Sequence, residues 1–181
     1  KNIFSIFEKQ KDFLEKKKLF SENNKKIYLK TILNNLDQKN PKTVKNMFNY
    51  CFDKKTQKII FKKFYLNVKD IKMLDKLGMK IGAHGHNHKV MSKLNYKIQK
   101  NDIYKSIKIL SKILNKKISY FCYPYGGFKV FNKNTIKILK EKKITYSFNV
   151  DPKDWQKKSN PLYVPRYDCN KFKYGKIFKV T

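Results

Sequence analysis

All three histidines of the chain fall within five residues, His84-Gly85-His86-Asn87-His88. On a strand that runs into a turn, His84 and His88 come together while His86 points elsewhere. On a helical turn the same pair, four residues apart, shares one face. Either arrangement lets two imidazoles reach one divalent cation at about 2.0–2.1 Å. Gly82 and Gly85 flank the pair and let the backbone turn tightly. The competing interpretation is a surface loop that happens to be rich in histidine. The confinement of every histidine to one glycine-flanked turn favours metal binding. Imidazole ligation leans toward zinc. A catalytic zinc also needs a third protein ligand and an open position for water. His86 is one candidate for that ligand, and a carboxylate from elsewhere is the other.

Two further stretches carry chemistry-bearing residues. Tyr123-Pro124-Tyr125-Gly126-Gly127 is a turn by its proline and glycines. Asp151 to Trp155 joins two aspartates to the single tryptophan.

The elements that must position these groups are legible in the periodicity. Up to about residue 65 the pattern is helical. Ile3, Ile6, Phe7 and Leu14 recur at helical spacing, then Leu29, Ile32, Leu33 and Leu36, then Val44, Met47, Phe48 and Cys51. Asn40-Pro41 separates the last two groups, and Thr43 is the expected N-cap. From Tyr65 onward helices and strands alternate. Val68–Leu77 reads as a helix stopped by Gly78. Met79–His84 reads as a buried strand and Ile98–Leu114 as a long helix with Ile103, Ile107, Leu110 and Leu114 on one stripe. Strands are expected at Ile118–Cys122 and Ile144–Val150, with a helix around Thr135–Lys140 between them. Such alternation implies a parallel sheet or barrel. Active sites of these folds gather at the C-terminal ends of the strands, where the histidine cluster, the tyrosine–proline turn and the Asp151–Trp155 segment all fall.

Composition sets the outer limits. A length of 181 residues suits one domain with a real core, and 40% hydrophobic with 15% aromatic residues argues against disorder. The formal net charge of +31 is nearly all lysine, since Arg166 is the only arginine. Readers of phosphate and bases lean on arginine for bidentate contacts, so no specific nucleic-acid partner is expected. The accompanying wealth of Asn, Ile, Tyr and Phe points to A/T-rich coding, and the lysines read first as solvated surface. Cys51, Cys122 and Cys169 are odd in number and form no C-x-x-C pair, which suggests neither a disulfide framework nor a thiolate zinc site. No apolar run approaches the roughly 20 residues of a membrane span. No secretory signal pattern is visible, and a chain opening on Lys1 is expected to continue upstream.

Leu74-Asp75-Lys76-Leu77-Gly78-Met79-Lys80-Ile81-Gly82-Ala83-His84-Gly85-His86-Asn87-His88, followed by Met91-Ser92-Lys93-Leu94, resembles the second motif of the NodB-like polysaccharide deacetylases, carbohydrate esterase family 4. Tyr120-Phe121-Cys122-Tyr123-Pro124-Tyr125-Gly126 looks like the third motif, in its Phe-x-Tyr-Pro-Tyr-Gly variety. Val150-Asp151-Pro152-Lys153-Asp154-Trp155 is similar to the fourth, and Pro165-Arg166-Tyr167-Asp168 to the Pro-Arg-x-Asp ending of the same branch. The resemblance covers about residues 65 to 170, and the order and spacing of the motifs are more specific than any one of them.

The resemblance implies an α/β fold: an incomplete, distorted (β/α) barrel over residues 66–181, with residues 1–65 as an N-terminal helical insertion or lid. It implies that His84 and His88 are metal ligands and that Tyr125 offers its backbone N–H to an oxyanion. Tyr123 and Trp155 would line a sugar groove, Asp154 would orient its loop, and Arg166 would contact substrate or stabilise charge. The implied substrate is an N-acetylated glycan or sugar, and the implied reaction is hydrolytic removal of an N- or O-acetyl group. Three departures stand out. Gly85 occupies the place of a serine or threonine, Cys122 that of an arginine in many members, and no Asp-Asp pair occurs anywhere in the chain. In the family that pair supplies the catalytic base and the third metal ligand, so the chain alone is expected to be inactive. The leucine-x-histidine motif carrying the general acid is also missing, since no histidine follows His88. Two rival functions keep the fold but drop the chemistry: a glycan-binding relic whose binding survives chelation, and a lysine-driven polyanion binder with steep salt dependence.

Overall fold

The structure, a computed structural model, describes residues 32–33, 36–37, 40–156, 158–167, 172–173 and 176–177. The expected helical stretch from Ile3 to Leu14, as well as Leu29, Asp168 and Cys169, lies outside them. The chain divides into two compact units, 1–63 and 64–181.

In the first unit, helix α1 spans Pro41–Cys51 and α2 spans Lys54–Phe64, ending at the boundary. The N-cap of α1 is Asn40 rather than Thr43: the Asn40 side chain accepts from the Thr43 N–H at 3.3 Å. Pro41 explains the difference, because its fixed φ suits the first helical position and its missing N–H would have had no partner there. The break before α2, which periodicity does not separate, falls at Phe52-Asp53, where Asp53 accepts from the Thr56 N–H at 2.6 Å. Phe48 joins the two helices, its ring centre 5.1 Å from Phe52 and 5.9 Å from Phe61.

The second unit holds α3 (Val68–Lys76), α4 (Tyr96–Leu114) and α5 (Lys133–Glu141), and α3 and α5 both pack on α4. Each opens on an asparagine cap: Asn67, Asn95 and Asn132. The short amide side chain satisfies N–H groups that the first turn leaves orphaned. As expected, α3 stops at Gly78, whose φ of +86° closes the turn.

Strands β1 (Tyr120–Cys122) and β2 (Tyr146–Phe148) pair in parallel, Phe121 opposite Ser147. Single parallel bridges extend the pair on both sides, Ala83 to Phe121 and Phe148 to Val164. The line of segments is thus Ala83, β1, β2, Val164, all running the same way. The strands are shorter than periodicity suggests, and Met79–His84 forms no strand beyond the Ala83 bridge. Met79 and Lys80 are exposed, and no described residue pairs with the outer edge of this segment. Burial alternates along each strand. Phe121 joins Ile103, Ile107, Ile118, Ile138 and Leu139 in the core, while Tyr120, Cys122, Tyr146 and Phe148 are half-buried on the other face. Beyond the sheet, β3 (Phe172–Lys173) and β4 (Lys176–Ile177) pair antiparallel. Among the described residues no helix is long and apolar enough to cross a membrane.

Candidate active site

The backbone ladder of the sheet builds the site. Ala83 donates to the Tyr120 carbonyl and accepts from the Cys122 N–H, both at 2.9 Å, so the next residue, His84, starts from a fixed point. Its Nδ1 lies 2.7 Å from the Cys122 carbonyl oxygen. A carbonyl only accepts, so Nδ1 carries the ring proton and Nε2 presents its lone pair away from the strand. Metal-bound imidazoles are commonly oriented in this way, by a hydrogen bond to the nitrogen that does not ligate.

The chain then turns back on itself. Gly85 has φ +74° and His88 φ +50°. A Cβ at Gly85 would lie 2.9 Å from Asp102 Oδ2 and 2.9 Å from Met91 Cε, which explains the glycine where the family prefers serine or threonine. Asp102 holds the turn from α4. Its carboxylate accepts from the His86 N–H at 2.9 Å, the Asn87 N–H at 3.0 Å and the Asn87 side-chain amide at 2.6 Å. The result brings His84 and His88 together, ring centres 4.9 Å apart. Two imidazoles bound to one zinc at about 2.0–2.1 Å would have ring centres roughly 5 Å apart, so the pair fits a shared cation.

No described third donor joins them. Among the described residues there is no cluster of three His, Cys, Asp or Glu side chains able to hold a metal. That removes His86, one of the two candidates from sequence, as the third ligand; its backbone N–H is instead part of the Asp102 turn. Described carboxylates are engaged elsewhere: Asp70 in the α3 cap, Asp75 with Lys116, Asp151 with Lys153, Asp154 with Tyr167, and Glu141 with Lys100.

The tyrosine–proline turn stands beside the histidines. Tyr125 is partly exposed, has φ +66°, and places its ring centre 4.7 Å from that of His88. Gly126 follows at φ +74°, where a Cβ would lie 2.4 Å from Val150 Cγ1. Tyr123 departs from its expected place in a sugar groove. It is 0% exposed, stacked on Phe131 at 3.8 Å, and donates its hydroxyl to the Leu162 carbonyl at 2.7 Å. Burial drives its pKa well upward. Tyr123 is a core residue that braces the turn: one residue past β1, it packs against Phe121 and Phe131 and bonds the Leu162 carbonyl.

Trp155 is 39% exposed and stands edge-on to Tyr146 at 6.1 Å. Asp154 is exposed and accepts from the Tyr167 hydroxyl at 3.2 Å. Arg166 donates its backbone N–H to the Asp151 carbonyl at 3.2 Å. Its guanidinium lies near the Cys122 thiol, whose pKa burial raises and this neighbour lowers. A cavity of about 360 Å³ opens beside His84, lined by Lys80, Gly82, Tyr120, Cys122 and Phe148 among others.

Asp102 is the functional residue that sequence reasoning missed. A signal was present: Gln99, Asp102 and Ser106 recur with Ile103 and Ile107 at i, i+3 and i+4, and all are buried. A carboxylate on a buried stripe needs donors, and the histidine turn supplies them.

A sequence model of the polysaccharide deacetylase family matches residues 31–147, well over half of the chain. The chain belongs to the polysaccharide deacetylase family. The match ends within β2. Among solved structures this polysaccharide deacetylase chain is similar to the Streptococcus pyogenes deacetylase PplD in complex with acetate, at 22% identity and TM-score 0.53, covering 56% of this chain and 44% of that one. It is similar also to the deacetylase domain of BpsB from Bordetella bronchiseptica, at 13% identity and TM-score 0.50, covering 57% of this chain and 49% of that one. These likenesses establish a deacetylase-type α/β fold. The chain spans less than half the length of either structure. A comparison with curated proteins gives no match.

Proposed function

We propose that this chain is the His-His part of a metal-dependent deacetylase that hydrolyses an N- or O-acetyl group on a sugar. The observation that carries the proposal is the His84–His88 pair, 4.9 Å apart, with His84 Nδ1 tied to the Cys122 carbonyl. His84 and His88 would hold a divalent cation, zinc by the nature of its imidazole donors. Such an ion, when bound, lowers the pKa of a water to near 7 and polarises an acyl oxygen.

The remaining work falls to the chain itself. The Tyr125 backbone N–H is the donor proposed for the developing oxyanion, on a turn held by the buried Tyr123 and the close Gly126–Val150 approach. Trp155 is the proposed sugar contact, with Asp154 fixing its loop and Arg166 meeting substrate or developing charge. Water adds to the acyl carbon, and acetate leaves a free amine or hydroxyl on the sugar. Neither the base nor the third ligand is proposed from the described residues. Because no Asp-Asp pair occurs in the sequence, the chain alone is expected to be inactive in this reading.

The outer edge at Ala83, which no described residue pairs, and the half-buried face of Tyr120, Cys122, Tyr146 and Phe148 support a further part of the proposal. Residues 66–181 form a portion of a (β/α) barrel, with residues 1–65 as a helical insertion. The test is zinc content by atomic emission. The His84→Ala/His88→Ala variant, checked for folding by circular dichroism, is expected to lose its zinc. Zinc retained at the wild-type level overturns the ligand assignment. Metal-dependent acetate release from an N-acetylated oligosaccharide by the 181-residue chain overturns the inactivity.

A further inference from the structure

The inner stripe of α4 faces the core, and its outer side is different in kind. Asn101, Tyr104, Lys105, Lys108 and Ser111 recur at i, i+3, i+4, i+7 and i+10, along one side of the helix. With Lys142 from the end of α5 they line a groove of about 500 Å³. Three ammonium groups border it, and no carboxylate is among the lining residues. No described ion pair engages Lys105, Lys108 or Lys142. Glu141, next to Lys142 in sequence, is already taken: it accepts from Tyr96 at 2.7 Å and Tyr104 at 3.0 Å, and pairs with Lys100 at 2.9 Å. Lys142 itself is held over the Tyr104 ring, 3.8 Å from its centre, so one of the three charges is positioned in advance.

We propose that this groove binds a stretch of anionic polysaccharide through Lys105, Lys108 and Lys142. Charge selects the anion, and the shape and remaining groups select its class. A concave groove between two helices takes a single strand of polymer rather than a flat bilayer. Lys105 and Lys108 are three residues apart on α4, about 4.5 Å along its axis, which matches the scale of one sugar ring. Asn101 and Ser111 offer neutral hydrogen-bonding groups for hydroxyls. Single-stranded nucleic acid would look for a bare aromatic platform or an arginine plane. Here the face of Tyr104 is covered by Lys142, its hydroxyl is held by Glu141, and no arginine lines the groove. The inference stands apart from the catalytic proposal, since it uses no residue of the histidine site and its test reads binding.

The experiment measures fluorescence anisotropy of labelled oligogalacturonate with the 181-residue chain across a salt series. Lys105→Gln/Lys108→Gln/Lys142→Gln is compared with a control of equal charge change on α3, Lys69→Gln/Lys72→Gln/Lys76→Gln, all three folded by circular dichroism. The groove variant is expected to bind about tenfold more weakly, with a slope of log K against log salt shallower by about two, while the control stays within about twofold of wild type. Equal losses from both variants would show a diffuse field of charge and overturn the proposal. So would no binding of oligogalacturonate by the wild-type chain. Tighter binding of an oligothymidylate of equal charge, lost on mutating the same three lysines, would overturn it in favour of a nucleic-acid site.

Discussion

Asp102 is 3% exposed, and three N–H groups of the histidine turn converge on its carboxylate. Replacing it by alanine takes the acceptor away from those partly buried donors, at a cost of about 1–2 kcal/mol. In the proposed site the same change frees the turn that sets His88 against His84, so zinc affinity should fall about tenfold or more. Urea unfolding and a competitive zinc titration on Asp102→Ala read the two effects separately; a stable protein with wild-type zinc affinity would remove Asp102 from the site. Gly85 tests the same turn from the backbone. Gly85→Ala forces a side chain into a left-handed conformation and against Asp102 and Met91, with an expected loss of about 1–3 kcal/mol in urea. Tyr123→Phe removes a hydroxyl bonded to the Leu162 carbonyl and should cost about 1 kcal/mol. If Tyr123 only braces the core, the variant leaves glycan binding by the chain unchanged. Weakened binding in a fully folded variant would return it to the groove.

Elements are held together here as much by polar links as by apolar stripes. The α4–α5 pair is joined at Glu141, whose carboxyl is lowered to about 2 by hydrogen bonds from Lys100, then Tyr96 and Tyr104. Because the folded value lies below the ordinary 4.5, the link contributes fully above that pH and is lost as pH falls through about 2. Thermal unfolding followed from neutral pH downward should therefore show a falling midpoint in that window. Glu141→Gln should flatten part of the fall, and a variant whose acid profile superimposes on wild type would deny the link any role. The helices α3, α4 and α5 were legible because their caps and stripes are local. Strands were less so: Met79–His84 has the apolar content of a strand, yet pairing depends on a neighbour, and only Ala83 has one among the described residues.

Across the whole molecule, 44 basic against 13 acidic residues give a charge of +31, which opposes compactness at low ionic strength. Salt shortens the reach of that repulsion from about 30 Å at 0.01 M to about 8 Å at 0.15 M. The melting midpoint of the chain should rise over this range by several degrees, as read by circular dichroism. A midpoint that stays level would mean that the lysines are too far apart or too well solvated to matter to folding.

The histidine pair, the tyrosine–proline turn, the three main helices of residues 64–181 and the family were all written in the order and spacing of residues, because each depends on near neighbours along the chain. Side-chain fate was not. Tyr123 and Tyr125 sit two apart in one motif, yet one is buried against Phe131 and the other stands beside His88. The tautomer of His84 depends on a carbonyl 38 residues away, and the shape of its turn on a carboxylate in α4. Those are contacts between distant stretches of chain, and folding alone brings them within reach.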